Sequence, residues 1–523
     1  MADIPPLSLT INANDSPAVI ENARKQLEDG IEQHRQTIIS MQYRLNELTL
    51  VARLPPELLS EIFQCYVTTT LVDWRPYQPY RWIRLTHVCH HWRNVALRSP
   101  RLWADIAMTS NLEWMKELIS RSCQVPLNLT MARSELGSGV FRRVVQELPR
   151  ARQLMIRLEP YTYHSLNDVE LPQNFPLLRS VVVQNPAYSY GDMKFPLVIS
   201  KGSFPVIEQL DITGYILDWS LPIFAPTLTR LVLSPDVLNL PSANEALDAI
   251  SKMPLLQHLE LASVVKPMVD TGIPSSTHNI TLPNLSYLCL SGQALACVFI
   301  LKQLEFPAET TLLLELKDMR TEADVTLVTG PVVRKLLESM GGGGTNRTVR
   351  SFAIQERGDI STFSFWTVVH SLDTLALRRV KPHIQITFGY GVQLKPLLEV
   401  FCTALPLSQV ESLYLGDTTS HYGIKGPYIK VLEKMPNVSQ AQVDSDTGGL
   451  LSGILTARVD VHTDTHKPGR RRKQLLLRNL RLLILHDVRF RPASEDWDDD
   501  SFVEGLVKAF KGRNKSRCNL AEW

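Results

Sequence analysis

Between residues 20 and 50 the apolar positions Leu27, Ile31, Ile38, Met41, Leu45 and Leu48 advance by alternating fours and threes, with His34 in the one polar slot. That alternation lays one apolar seam along a helix, and Glu28, Asp29, Glu32, Gln33, Arg35, Gln36 and Arg44 fill the faces beside it. No proline interrupts from Ala18 to Arg53, so the pattern predicts a heptad helix over residues 18–53, preceded by a disordered stretch at 1–17. Two readings of the seam stay open: the helix folds back onto the neighbouring domain, or it self-associates as a coiled coil through residues 20–50.

The pattern changes at Leu54-Pro55-Pro56-Glu57-Leu58-Leu59. Proline is tolerated in a first helical turn and Glu57 suits the positive end of the helix dipole, so a helix starts here. Leu58, Leu59, Ile62, Phe63 and Tyr66 follow at helical spacing. A second helix is predicted from Arg81 to Leu97 on Leu85, Val88, Cys89, Trp92 and Ala96, closed by Pro100, and Arg101–Ile106 forms a short third element.

From about residue 150 a phrase recurs: an apolar residue, two variable residues, an apolar residue, one variable and one apolar, often with proline two places ahead. Its clear copies begin at Ala151, Leu178, Ile207, Leu228, Leu256 and Leu285, at steps of 27, 29, 21, 28 and 29 residues. Each copy ends as a short strand whose paired apolar residues, such as Leu259 and Leu261, point into a core while the residue between them faces outward. The middle residues Met155, Val182, Asp211, Val232, Glu260, Cys289 and Tyr414 would then line one face, with Asp211, Glu260 and Tyr414 the candidates for gripping a target. Weaker copies follow at Leu312/Leu314, Val349/Phe352/Ile354, Leu372/Leu375/Leu377, Val410/Leu413/Leu415 and Leu480/Leu483/Leu485, which requires inserted loops near 315–348, 378–409 and 444–474. A final apolar stripe, Phe502, Val503, Leu506, Val507 and Phe510, predicts a capping helix within 491–523, frayed from Lys511.

Residues 54–106 resemble an F-box. The family's opening, its Val-Cys-x-x-Trp-Arg and its Pro-x-Leu-Trp are matched by Leu54-Pro55-Pro56-Glu57-Leu58-Leu59, Val88-Cys89-His90-His91-Trp92-Arg93 and Pro100-Arg101-Leu102-Trp103. Thr68 to Trp82 is longer than a compact F-box needs. That insertion, with a heptad helix directly before the box, resembles the large group of fungal F-box proteins. The phrase spacing at 107–490 resembles degenerate leucine-rich repeats, although the repeat's usual Asn or Cys after the last strand residue is missing. The alternative is an assorted α/β domain that uses LxL strands.

The fold expected from these resemblances is α/β: a helical F-box followed by an irregular solenoid of short parallel strands. They imply docking on a Skp-type adaptor through Leu54, Pro55, Leu58, Ile62, Val88 and Cys89. Trp92 and Trp103 are weighted towards packing, with a partial interface role. Through the adaptor come a cullin and a RING ubiquitin ligase, and the repeat domain would hold an unknown protein substrate. Two other functions stay open: a scaffold that binds the adaptor without directing destruction, and a nuclear, nucleic-acid-associated protein.

Composition narrows the classes. The chain has 523 residues, and its 55 Lys+Arg against 53 Asp+Glu argue against a globally basic nucleic-acid binder. No apolar run reaches membrane-spanning length and the N-terminus lacks a basic signal region, so a soluble cytoplasmic and/or nuclear protein is expected. Seven cysteines without a CxxC pair suit reduced, mostly buried thiols. His87, Cys89, His90 and His91 cluster, but no second ligand pair lies nearby, so no metal is expected. Gly341–Gly344 lacks the Lys-Ser/Thr of a phosphate-binding loop and no catalytic motif is present, so neither enzymatic activity nor a cofactor is expected. Arg470–Lys473 is a basic run, read as a solvated loop ahead of a nuclear localisation signal.

Overall fold

A computed structural model describes residues 16–72, 80–131, 138–157, 172–185, 202–215, 218–234, 240–268, 279–341, 348–376, 380–389, 391–416, 425–444, 451–462, 471–488 and 500–515. The chain divides into two compact units, Met1–Met155 and Ile156–Trp523. The expected disordered start lies outside the described residues, apart from the helix's own first turn.

The first unit opens with α1 (Pro17–Glu47), followed by a 3-10 turn, Leu50–Arg53. The heptad seam is solvent-exposed, with Ile31 at 66 % and Leu45 at 68 %. α1 is tied down from its far side, where Tyr43 rests against His90 at 5.1 Å. Next, α2 (Pro56–Val72) runs on into what was expected to be the insertion, whose residues 73–79 lie outside the described part.

The predicted helix Arg81–Leu97 is two elements: a 3-10 helix, Arg81–His87, and α3 (His90–Leu97). The break has a local cause. Cys89 is extended at φ −157°, ψ 170°, and its Sγ accepts from the Trp92 backbone N–H at 3.5 Å, capping a new helix rather than continuing the old one. A further 3-10 turn, Pro100–Trp103, leads to β1 (Asp105–Ala107), which pairs in parallel with β2 (Leu127–Met131). α4 (Leu112–Arg121) lies between them, and α5 (Ser138–Val145) packs on α4 before β3 (Ala151–Ile156).

The second unit is built on a large, mostly parallel sheet. Its first strands, β4 (Ser180–Gln184), β5 (Gln209–Thr213), β6 (Arg230–Ser234) and β7 (His258–Ala262), pair in chain order, and Tyr287–Gln293 and Thr311–Lys317 continue the series. The repeated phrase explains the geometry. Its proline sits second in a turn closed from Leu178 to Phe175, Leu228 to Ala225, Leu256 to Met253 and Leu285 to Leu282, where the ring's fixed φ suits the bend. The carbonyl just before each strand then accepts two N–H groups from the next copy: Arg179 from Glu208 and Gln209, Glu208 from Thr229 and Arg230, Thr229 from Gln257 and His258. All three apolar positions of the phrase are buried, including Leu228, Leu231 and Leu233.

Past Lys317 the pattern departs from the expectation. Ile360–Trp366 runs antiparallel between Ser351–Arg357 and Ile384–Phe388, after which Ser412–Gly416, Gln440–Asp444 and Leu482–His486 resume the parallel order. Leu372 and Leu375, read as strand, lie on the short helix Leu372–Ala376, which buries both on one side. The expected loop insertions contain ordered elements: helices Glu322–Gly341 and Leu451–Thr456, and an antiparallel pair, Arg458–His462 with Arg471–Leu475. Arg471–Lys473 is therefore strand rather than loop, with Lys473 in register with Asp460. Gly342–Gly344 lie outside the described residues.

The last helix, Asp500–Lys515, packs on Leu451–Thr456. It does not fray at Lys511, because Arg513 is buried and donates to the Leu476 carbonyl at 3.0 Å and to that of Leu477. Among the described residues no helix is long and apolar enough to cross a membrane, and no group of three or more His, Cys, Asp or Glu is placed to hold a metal ion.

Candidate adaptor-docking surface

α2 carries two apolar stripes because its sequence has apolar residues at consecutive positions, and neighbours on a helix diverge by about 100°. Leu59, Phe63 and Val67 form the inner stripe and are fully buried. Leu58, Ile62 and Tyr66 form the outer one, with Leu58 at 53 % and Ile62 at 49 % exposure. Val88, in the break before α3, is 58 % exposed. Pro55 is exposed too, while Leu54, Cys89 and Trp92 are partly buried.

The inner face is locked by aromatic contacts. Phe63 meets Trp92 at 4.9 Å, and Trp82 meets Trp103 edge-on at 4.9 Å. Trp103 is fully buried, its Nε1–H donates to the Ala96 carbonyl at 2.9 Å, and the Arg121 guanidinium lies 4.4 Å over its ring. Ser60 Oγ donates to Ser99 Oγ at 2.9 Å, and Ser99 in turn donates to the Val95 carbonyl at 2.7 Å, fastening α2 to the end of α3. Trp103 thus belongs to the core and has no surface for the partial interface role expected of it, whereas Trp92 is only partly buried.

Of the seven adaptor candidates, Pro55, Leu58, Ile62 and Val88 present apolar surface to solvent and the other three border it. The sequence reading passed over Tyr66, Leu50 and Val51, which are also exposed. For Tyr66 the signal was there, since it continues the i, i+4, i+8 stripe from Leu58 and Ile62.

In the second unit the candidate target-binding residues separate. Asp211, Val232, Glu260 and Cys289 stand in register on four successive strands, so Asp211 and Glu260 are about 10 Å apart. Burial raises the Asp211 carboxyl above its ordinary value, with Arg230 opposing that shift. One row earlier stand Gln209, Arg230, His258 and Tyr287. His258 stacks on Tyr287 at 4.3 Å, and its Nε2 lies 3.6 Å from Glu260. Arg230, His258 and Tyr287 were missed, although period-two alternation puts them on the same face as the middle residues. Tyr414 does not join this row. It is buried with Ala353, Trp366, Leu372 and Leu375, and its hydroxyl donates to Asp444 at 2.6 Å, because the Leu372–Ala376 helix covers its strand.

Residues 51–109 match the F-box-like family, so this stretch of helices is an F-box-like domain. The match takes in all but the first residue of the 3-10 turn before α2, both apolar stripes, the Cys89 break and Trp103. A comparison with curated proteins finds no match to the chain.

Proposed function

We propose that the protein is the substrate-recognition subunit of an SCF-type E3 ubiquitin ligase, in which the F-box-like domain docks a Skp-type adaptor and, through it, a cullin. The observation that carries this reading is the outer stripe of α2: a small helical unit matching the F-box-like family holds Leu58, Ile62 and Val88 open to solvent. Apolar residues left uncovered on so small a unit are what a partner would bury.

The second unit is the target-binding part on this reading. Its repeated turn, its double-accepting carbonyls and its parallel register support an irregular leucine-rich-repeat solenoid, interrupted by the antiparallel strand Ile360–Trp366. The outward row holding Asp211 and Glu260, with Arg230 and His258 beside it, is the surface offered to a protein target in the cytoplasm or nucleus. The protein's contribution to ubiquitin transfer is proximity rather than chemistry of its own.

Affinity capture with a purified Skp-type adaptor tests the reading. The full chain is expected to be retained, and a Leu58→Asp, Ile62→Asp double variant to lose at least about tenfold in affinity, the cost of charging an apolar interface. Both residues are exposed, so the variant's circular dichroism and thermal unfolding should match the wild type. Equal retention of the two proteins, or of neither, overturns it.

A further inference from the structure

We propose that α1 joins two copies of this chain as an antiparallel coiled coil centred between Glu32 and Gln33. Among the described residues the seam is left uncovered: Leu27, Ile31, Ile38, Met41 and Leu45 are exposed along a helix of 31 residues, as is Leu48 just past its end. Tyr43, which rests on His90, lies about 160° around the helix from that seam, so α1 is held by its back and offers its apolar edge. Ala23 and Gly30, its least exposed positions besides Ile39, flank the seam without belonging to it.

The occupant follows from register and charge. Two-fold antiparallel pairing about the centre sets Ile20 against the second copy's Leu45, Leu27 against its Ile38 and Ile31 against its His34, and lays the Arg24 stem along its Met41. In the same register Glu28 faces the second copy's Arg35 on both sides of the interface, and the helix overlaps itself from end to end. A parallel in-register pair overlaps just as fully but does not bring these charges together. It stacks His34 on His34 and Arg24 on Arg24, and sets Gly30 against Arg35 and Thr37 against Gln42, leaving no opposite charges across the seam. A second copy in antiparallel orientation therefore fits both the apolar and the charged positions.

Sedimentation of the full chain at about 10 µM, a concentration that populates a dimer of micromolar or tighter affinity, tests this. The wild type is expected to be a dimer and an Ile31→Glu, Ile38→Glu variant a monomer that still captures the adaptor. Glu28→Arg or Arg35→Glu alone should weaken the dimer about tenfold by facing like charges, and the two together should restore it. The in-chain pair of Arg24 with Glu28, at 4.0 Å, is lost in Glu28→Arg and in the double exchange alike, so rescue reads the contact between copies. A monomeric wild type, a dimeric seam variant, or a double exchange as weak as the single ones overturns the proposal. The Leu58→Asp, Ile62→Asp variant should remain dimeric, which separates this inference from the adaptor reading.

Discussion

Cys65 and Cys123 are exposed, whereas Cys289, Cys297 and Cys402 are buried, and depth decides their chemistry. Burial pushes the Cys289 and Cys297 thiols up to about 12, since a thiolate in an apolar interior is poorly solvated. Iodoacetamide at pH 8 should therefore label Cys65 and Cys123 in the folded chain and reach Cys289, Cys297 and Cys402 only after denaturation, as read by peptide mass spectrometry. The pH dependence has a definite sign. The unfolded chain releases these protons first, so the stability held by the neutral thiols is intact below the ordinary thiol range and is lost as pH rises towards about 12. A Cys297→Ala variant should lose less of its melting temperature between pH 8.5 and 10.5, about the lower part of that window. Mostly buried thiols were expected, and three of the six described cysteines are buried; Cys65 is not, because it sits on the outer side of α2 beside Ile62 and Tyr66, and Cys123 is exposed too.

Among the elements, local signals fix where some helices start: α2 begins at Pro56, as its proline and Glu57 suggest, although the heptad helix expected over 18–53 stops at Glu47. The helix Ala243–Ile250 carries a capping box: Ser242 Oγ accepts from the Glu245 N–H at 3.3 Å, and Glu245 accepts from the Ser242 N–H at 2.7 Å. Those bonds hold the Glu245 carboxyl below its ordinary value. Ser242→Ala should cost about 1 kcal/mol in urea unfolding at neutral pH. Its effect should shrink as acid protonates Glu245 and breaks the reciprocal bond. The Cys89 break was harder to foresee, because the run from Arg81 to Leu97 keeps helical spacing across it and the cap comes from a weakly accepting sulfur. Leu372 and Leu375 misled for the opposite reason: three apolar residues near an expected strand satisfy a period-two and a helical pattern equally well. Only the strands competing for the sheet, Ile360–Trp366 and Ile384–Phe388, settle which one forms.

For the molecule as a whole, net charge is +2 over 523 residues, and the exposed F-box-like face is apolar rather than basic. Adaptor capture should therefore change less than about threefold between 50 and 500 mM NaCl, where a partner held by phosphate contacts would lose about a thousandfold or more. Surface plasmon resonance across that range measures the difference, and a steep fall would show that charge rather than the apolar stripe holds the adaptor. The amino-acid pattern by itself pointed to the helical start, the F-box-like motif and the parallel strands from Ala151 to Leu316, because each rests on neighbours in sequence: heptads, caps, and an apolar phrase often opened by a proline turn. Tertiary structure alone decided which of two apolar stripes on α2 stays exposed, that Tyr414 is covered, and that an antiparallel strand interrupts the sheet. Those outcomes depend on what packs against a side chain from far along the chain, and no local spacing encodes that.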